Sequence, residues 1–238
     1  MYNILTILYR ELKGYFNSAI AYICVTVFLA LVNGLFLRIF FVEDEASLRS
    51  FFAIVPWIFL FFIPAVTMRL WAEEKKLGTY ELLMTLPVRD YEAVLGKYLA
   101  SFLLLLITLG LTASLPVTLA YLGEPDWGPI IGGYTGLLFM GGAYLAIGIF
   151  ASSVTVNQIV AFILGSAISF GLFILGENMV LFALPESWAP ILEFMGLNTH
   201  FLSISRGVMD SRDVIYYLSV ISLFLFLTVR AIESRRWR

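Results

Sequence analysis

The segment Arg69–Lys97, RLWAEEKKLGTYELLMTLPVRDYEAVLGK, separates two long apolar stretches and gathers both signs of charge around a Gly-Thr and a Pro-Val. A pair of membrane helices joined by a minimal turn has no need of such a segment. A pair that must be gripped from the cytoplasm by a soluble partner does. Gly78 is read as ending the helix that leaves the preceding apolar stretch, and Thr79 as N-capping the next helix. Glu81 then falls in a first turn where the helix dipole favours an acid. Tyr80, Leu82, Leu83 and Leu86 supply apolar surface, and Pro87 ends the element. A short amphipathic helix of this kind can bury its apolar residues in a partner's groove, or lie flat on the inner leaflet against its own bundle. The residues by themselves support both.

Outward from this segment the chain is apolar. Of 238 residues 61% are hydrophobic and 13% charged, with mean hydropathy +0.91, whereas soluble domains run to about 45–50% apolar and about 25% charged. A helix needs about 20 apolar residues to cross the hydrocarbon core, and six segments meet or approach this: 19–41, 51–68, 98–121, 130–150, 159–175 and 214–232. Five or seven spans are the alternatives, because 179–184 is apolar again after Glu177. The first run is longer than the about 7–15 residues of a signal peptide's apolar region, so it reads as a retained span. With both ends of the chain cytoplasmic, Arg10, Lys13, Arg69, Lys75, Lys76, Arg89, Lys97, Arg230, Arg235, Arg236 and Arg238 lie inside. Only Arg38, Arg49, Arg206 and Arg212 lie outside, which is a positive-inside distribution.

Before the first span, Ile4, Leu5, Leu8 and Leu12 form a stripe opposite Asn3, Arg10 and Lys13. It describes either a helix in the inner interface or an extension of the first span. After the fifth span, Pro185–Gly196 is expected to form an outer helix with Trp188, Ile191, Leu192 and Met195 on one face and Gly196 at its end. No internal repeat or linker divides the chain, so 1–238 reads as one domain.

Several chemistries are missing. There is no HExxH, no GxSxG and no GxxxxGK[ST] loop for ATP. The one cysteine, Cys24, excludes an internal disulfide or a CxxC motif. The one histidine, His200, has no regularly spaced Cys or Met around it and reads as polar packing rather than a metal ligand. The spans carry almost no ionisable groups, unlike proton- or ion-coupled carriers. Anything this protein moves must draw energy from another subunit.

The run Glu73-Glu74-Lys75-Lys76-Leu77-Gly78-Thr79-Tyr80-Glu81-Leu82-Leu83-Met84-Thr85-Leu86-Pro87-Val88 resembles the corresponding segment of ABC-2 type transporter permeases. The stretch Asn198–Asp213, followed by Val-Ile-Tyr-Tyr-Leu, is similar to the subgroup of gliding-motility-type and nitrous-oxide-reductase maturation permeases. The resemblance implies an all-α membrane protein with six N-in/C-in transmembrane helices, an amphipathic N-terminal helix, a cytoplasmic coupling helix between spans 2 and 3, and an extracytoplasmic helical segment between spans 5 and 6. It further implies no catalysis and no cofactor in this chain. ATP and Mg would be bound by a partner ABC ATPase, present in two copies, with Glu73, Glu74, Gly78, Thr79, Tyr80, Glu81, Leu82 and Leu83 at the contact. A second permease chain, identical or a sister, would complete the pathway in a bacterial inner membrane, with a periplasmic partner and the lipid bilayer as further neighbours and no nucleic acid. The activity implied is export or mechanical work. A membrane anchor or assembly scaffold without transport is the alternative. For pairing, Gly165 and Ser169 are expected at the dimer interface; Gly132 and Gly136, a GxxxG pair, serve either that interface or packing within one chain.

Overall fold

A computed structural model describes residues 2–43, 47–85, 87–177, 180, 187 and 189–236. Residues 179 and 181–186, together with Leu86, Trp188 and Arg238, all of which entered the readings above, lie outside the described residues. Twelve helices, and no strand, occur among the described residues: α1 Tyr2–Phe16, α2 Ala19–Glu43, α3 Arg49–Thr67, α4 Arg69–Lys76, α5 Thr79–Thr85, α6 Asp90–Leu111, α7 Ser114–Leu122, α8 Trp127–Val154, α9 Gln158–Ile174, α10 Ala189–Met195, α11 Leu197–Ser205 and α12 Ser211–Arg236.

Five segments are long and apolar enough to cross a membrane: Ala21–Arg38, Arg49–Lys76, Asp90–Leu122, Trp127–Val154 and Ser211–Ser234. The expected fifth span is α9, apolar but only 17 residues long, about 26 Å at 1.5 Å per residue. The expected third span is α6 plus α7. Pro116 breaks it, because the proline cannot donate to the carbonyl of Thr112; that carbonyl accepts instead from the Leu115 N–H at 3.0 Å and the Tyr134 hydroxyl at 3.1 Å.

The bundle is organised around α8, the most buried of the long helices. Lipid tails are as apolar as the helices, so close backbone approach and dispersion, rather than hydrophobic burial, hold such helices together. Glycines on α8 provide that approach. A Cβ on Gly133 would lie 2.4 Å from the Phe52 ring of α3, and one on Gly148 would lie 2.1 Å from Thr67 Oγ1. On Gly141 it would meet Leu105 of α6 at 2.6 Å, and on Gly132 the Ile204 carbonyl of α11 at 2.3 Å. Gly132 and Gly136 thus pack α11 within one chain. At the periphery α2 meets α3 through aromatic pairs, Phe28 with Phe62 at 4.7 Å and Phe36 edge-on to Phe51 at 6.1 Å. α12 lies on α8 through Phe139–Tyr217 and Phe150–Phe224.

Three expectations change. α1 is a separate helix packed along α6, and its inward face is Ile7 and Tyr15, with Ile4, Leu8 and Glu11 partly covered, while Leu5 is 60% exposed. The stripe turns because α6 receives Ile7 against Gly96, where a Cβ would clash at 2.8 Å. Gly165 and Ser169 are buried inside the chain. The nearest neighbours to a Cβ on Gly165 are Pro64, Ala151 and Gly148 at 3.5–3.6 Å. The outward face of α9 presents Ile159, Ile163 and Phe170 instead. Beyond α9, Gly196 ends α10 as expected, but in extended backbone that admits Gly176, 2.6 Å from its would-be Cβ. Ile191 and Met195 of α10 are exposed, and the burial in this region belongs to α11 through Leu197, His200, Phe201 and Ile204.

Candidate functional site

α3 continues into α4 with only Met68 between them, and the chain then reverses at Gly78 into α5. Gly78 has φ +73°, a left-handed conformation that costs a residue with a side chain about 1–2 kcal/mol. Leu77 closes α4, its N–H donating to the Glu73 carbonyl at 2.9 Å. Thr79 does not cap α5 in the expected way: it is the first residue of that helix, and its hydroxyl donates back to the Glu74 carbonyl at 3.3 Å. The elbow is therefore locked across Gly78. At its tip Lys76, Leu77, Thr79 and Glu81 are exposed, and Leu77 at 67% is an apolar side chain standing in a polar turn. α5 carries Leu82 and Leu83, whose side chains lie outside the described residues, as does Leu86.

Four attachments hold the elbow to the bundle. The first is Ser152, near the end of α8. Its hydroxyl oxygen accepts from the N–H groups of Trp71 and Ala72 at 3.0 and 3.1 Å and donates to the Met68 carbonyl at 2.9 Å. A helix start leaves its first N–H groups unpaired, and here another helix caps them. The second is Lys75, whose ammonium donates to the Ser153 carbonyl and lies 5.7 Å from the centroid of the Tyr80 ring. The third is Tyr80, half-buried and edge-on to Trp71, whose hydroxyl donates to the Ile232 carbonyl of α12 at 3.4 Å.

The fourth is electrostatic. Lys97, seven residues into α6 beyond Asp90, is wholly buried. Its Nζ donates to Glu74 Oε1 at 2.8 Å, the Leu70 carbonyl at 2.9 Å and Glu11 Oε1 at 3.0 Å, and lies 4.8 Å from the centroid of the Trp71 ring. All three donors of the ammonium are used. Arg10 closes the cluster, at 2.7 Å from Glu11 and 2.9 Å from Glu74. Burial works to raise the Glu11 carboxyl, but Lys97 foremost, with Arg10, outweighs it and holds that carboxyl below its ordinary range. α1, α4 and α6 are thus pinned together by one charge cluster. Nearby, Arg69 donates to Ser18 at 2.9 Å and lies over the Tyr15 ring, whose hydroxyl pairs with Ser101 at 2.9 Å.

The proposed contact residues thus separate. Gly78, Thr79 and Glu81 lie at the exposed tip, Glu73 and Tyr80 are half-buried at its base, and the Oε1 of Glu74 is turned inward to Lys97 and Arg10. Sequence reasoning missed Ser152, Glu11 and the inward role of Lys97. A signal existed for Lys97: a lysine between Val94-Leu95-Gly96 and Tyr98-Leu99 interrupts an apolar face and demands a partner.

At the other end of α3 and α8, His200 carries the polar packing expected of it. Its Nδ1 pairs with Asp213 at 2.6 Å, its Nε2 donates to the Phe194 carbonyl at 2.9 Å, and Tyr216 stacks on the ring at 3.9 Å. Among the described residues no three His, Cys, Asp or Glu side chains gather as a metal site.

Among curated proteins nothing matches this chain. The family model described as ABC-2 family transporter protein matches residues 14–229. That match covers all but the two ends of the chain, and it embraces five helices long and apolar enough to cross a membrane together with the elbow between the second and third; the chain belongs to the ABC-2 family of transporter proteins, as a multi-pass membrane subunit.

Proposed function

We propose that this chain is the permease of an ATP-driven transporter, and that the α4–α5 elbow is the lever through which a separate ABC ATPase moves it. The observation that carries the reading is the contrast within the elbow. Its tip exposes Leu77, Thr79 and Glu81, while its base is tied to α8 by Ser152, to α12 by Tyr80, and to α1 and α6 by Lys97. An exposed tip suits an external partner, and a base fixed at four points transmits displacement rather than absorbing it. The ATPase contact then comprises Glu73, Gly78, Thr79, Tyr80, Glu81, Leu82 and Leu83, with Glu74 securing them from beneath.

In this reading both ends of the chain and the elbow are cytoplasmic, α9 is the fifth and shortest of six spans, and the membrane is a bacterial inner membrane. Two permease chains, identical or sisters, meet through surface such as the outward face of α9, and two ATPase chains bind ATP and Mg. ATPase closure tilts α3, α8 and α12 together, for export or for work on a periplasmic partner. The similarity of Asn198–Asp213 to gliding-motility-type and nitrous-oxide-reductase maturation permeases favours the second.

Replacing Glu81→Lys together with Leu82→Asp tests the contact. The double variant is expected to insert normally and to lose the ATPase in a pull-down, because it reverses one charge and puts another into an apolar contact. Undiminished ATPase recovery would refute the lever. An inserted permease that binds the ATPase but never alters its hydrolysis would instead make this chain an anchor.

A further inference from the structure

At the end of the bundle opposite the elbow, a cavity of about 570 Å³ opens between the start of α3, the start of α8 and α11. This is within the size range of small-ligand sites. Its floor is apolar, built from Leu48, Phe52, Ile130 and Phe201, all buried. Its rim carries Arg49, the first residue of α3, and Arg206, the last-turn residue that closes α11. Both arginines are exposed, and neither guanidinium has an ion-pair or hydrogen-bond partner among the described residues. The acid on the rim, Asp126, already accepts from the Gly128 N–H at 3.1 Å as the cap of α8. Two guanidinium groups unpaired among the described residues stand over an apolar floor, with the positive end of the α3 dipole at Arg49; together they fit a group that is anionic at one end and apolar at the other. The exposed aromatics Tyr121 and Trp127 flank the same end of the bundle, where such rings mark headgroup depth.

We propose that this cleft binds a phosphate-bearing amphiphile, with the phosphate held between Arg49 and Arg206 and one apolar chain lying on Phe52, Ile130 and Phe201. The site is separate from the elbow and does not depend on ATPase binding. It gives the transporter a lipid-recognition site at the membrane surface remote from its lever, so that occupancy and lever position are read at the two ends of the same helices, α3 and α8.

The test is native mass spectrometry of the full-length protein in neutral detergent, titrated with phosphatidylglycerol, phosphatidylcholine of the same chains, or inorganic phosphate. Phosphatidylglycerol is expected to bind at least about tenfold more tightly than phosphatidylcholine, whose own cation competes with the arginines. Arg49→Gln and Arg206→Gln should each weaken phosphatidylglycerol about tenfold, the size expected for a lost charge-assisted hydrogen bond, and together reduce it to the phosphatidylcholine level. Both side chains are exposed, so neither change threatens folding. Ala53→Trp, an exposed position on the cavity wall, should obstruct the chain and weaken both lipids. Equal binding of the two lipids, or unchanged binding by the double arginine variant, overturns the proposal. Inorganic phosphate displacing phosphatidylglycerol at equal concentration would also overturn it, since the apolar floor would then contribute nothing. Retention of the ATPase by all these variants is expected, so failure here is distinguishable from failure of the lever.

Discussion

Lys97→Met removes the ammonium beneath the elbow while nearly preserving its length and apolar stem. In the intact protein that ammonium, wholly buried, meets Glu74, Glu11 and the Leu70 carbonyl at 2.8–3.0 Å. Its loss leaves two carboxylates side by side with Arg10 as their remaining cation, and frees a buried carbonyl. Breaking one side of a buried charge pair costs about 3–5 kcal/mol. Here the carboxylates keep 16% and 18% exposure and Arg10 stays, so solvent and the residual partner reduce this to about 2–3 kcal/mol. At about 2–4 °C per kcal/mol for a chain of this size, the midpoint of thermal unfolding in detergent should fall by about 5–10 °C. The neutral triple variant Glu11→Gln/Glu74→Gln/Lys97→Met should recover most of that loss, since the cost lies in unpaired charge rather than in the missing contact. Differential scanning of the three proteins decides it. A Lys97→Met protein that melts with the wild type, or a triple variant less stable than the single one, refutes the view that charge pairing fixes the elbow.

Ser152→Ala should leave the Trp71 and Ala72 N–H groups without their cap and cost about 1–3 kcal/mol, read as a lower unfolding midpoint and as faster hydrogen exchange at the start of α4. In a Cys24→Ala background, single cysteines at Lys76, Gln158 and Arg235 should label only from the cytoplasm, and those at Asp44, Asp126 and Arg206 only from outside; an externally labelled Lys76 would remove the elbow from the ATPase's reach. The Glu11 carboxyl sits below its ordinary value of 4.5, so its contribution is complete above pH 4.5 and is lost as the pH falls beneath it. The stability gap between wild type and Glu11→Gln should therefore close in acid, and a gap that widens there would contradict the ion cluster. Native mass spectrometry of the intact complex should count two permease chains per two ATPase chains; a single permease would refute the pairing of two permease chains.

The sequence by itself determined the class of the protein and the place of its working part. Apolar run length is a local property, and long apolar runs can satisfy their backbones in a membrane only as helices; Gly78 and Pro87 mark chain reversals wherever they stand, so the elbow could be located before any packing was known. The ABC-2 resemblance of Glu73–Val88 was equally legible, being written in consecutive residues. The tertiary structure alone decided which side chains meet. Glu74 and Lys97 stand 23 positions apart, Glu11 and Lys97 86 apart, and Ser152 caps a helix start 80 positions away. No local pattern couples such pairs: the setting of Lys97 announces that it needs a partner but not which one, and Glu11, Glu74 and Ser152 read as an ordinary surface charge or hydroxyl until two helices are laid together. The same holds for Gly165 and Ser169. Small residues announce close approach, but whether the neighbour is α3 and α8 of the same chain or a second copy depends on how each helix is rotated about its own axis. That rotation is set by the shapes of all its neighbours at once, and so it is settled only by the packed bundle.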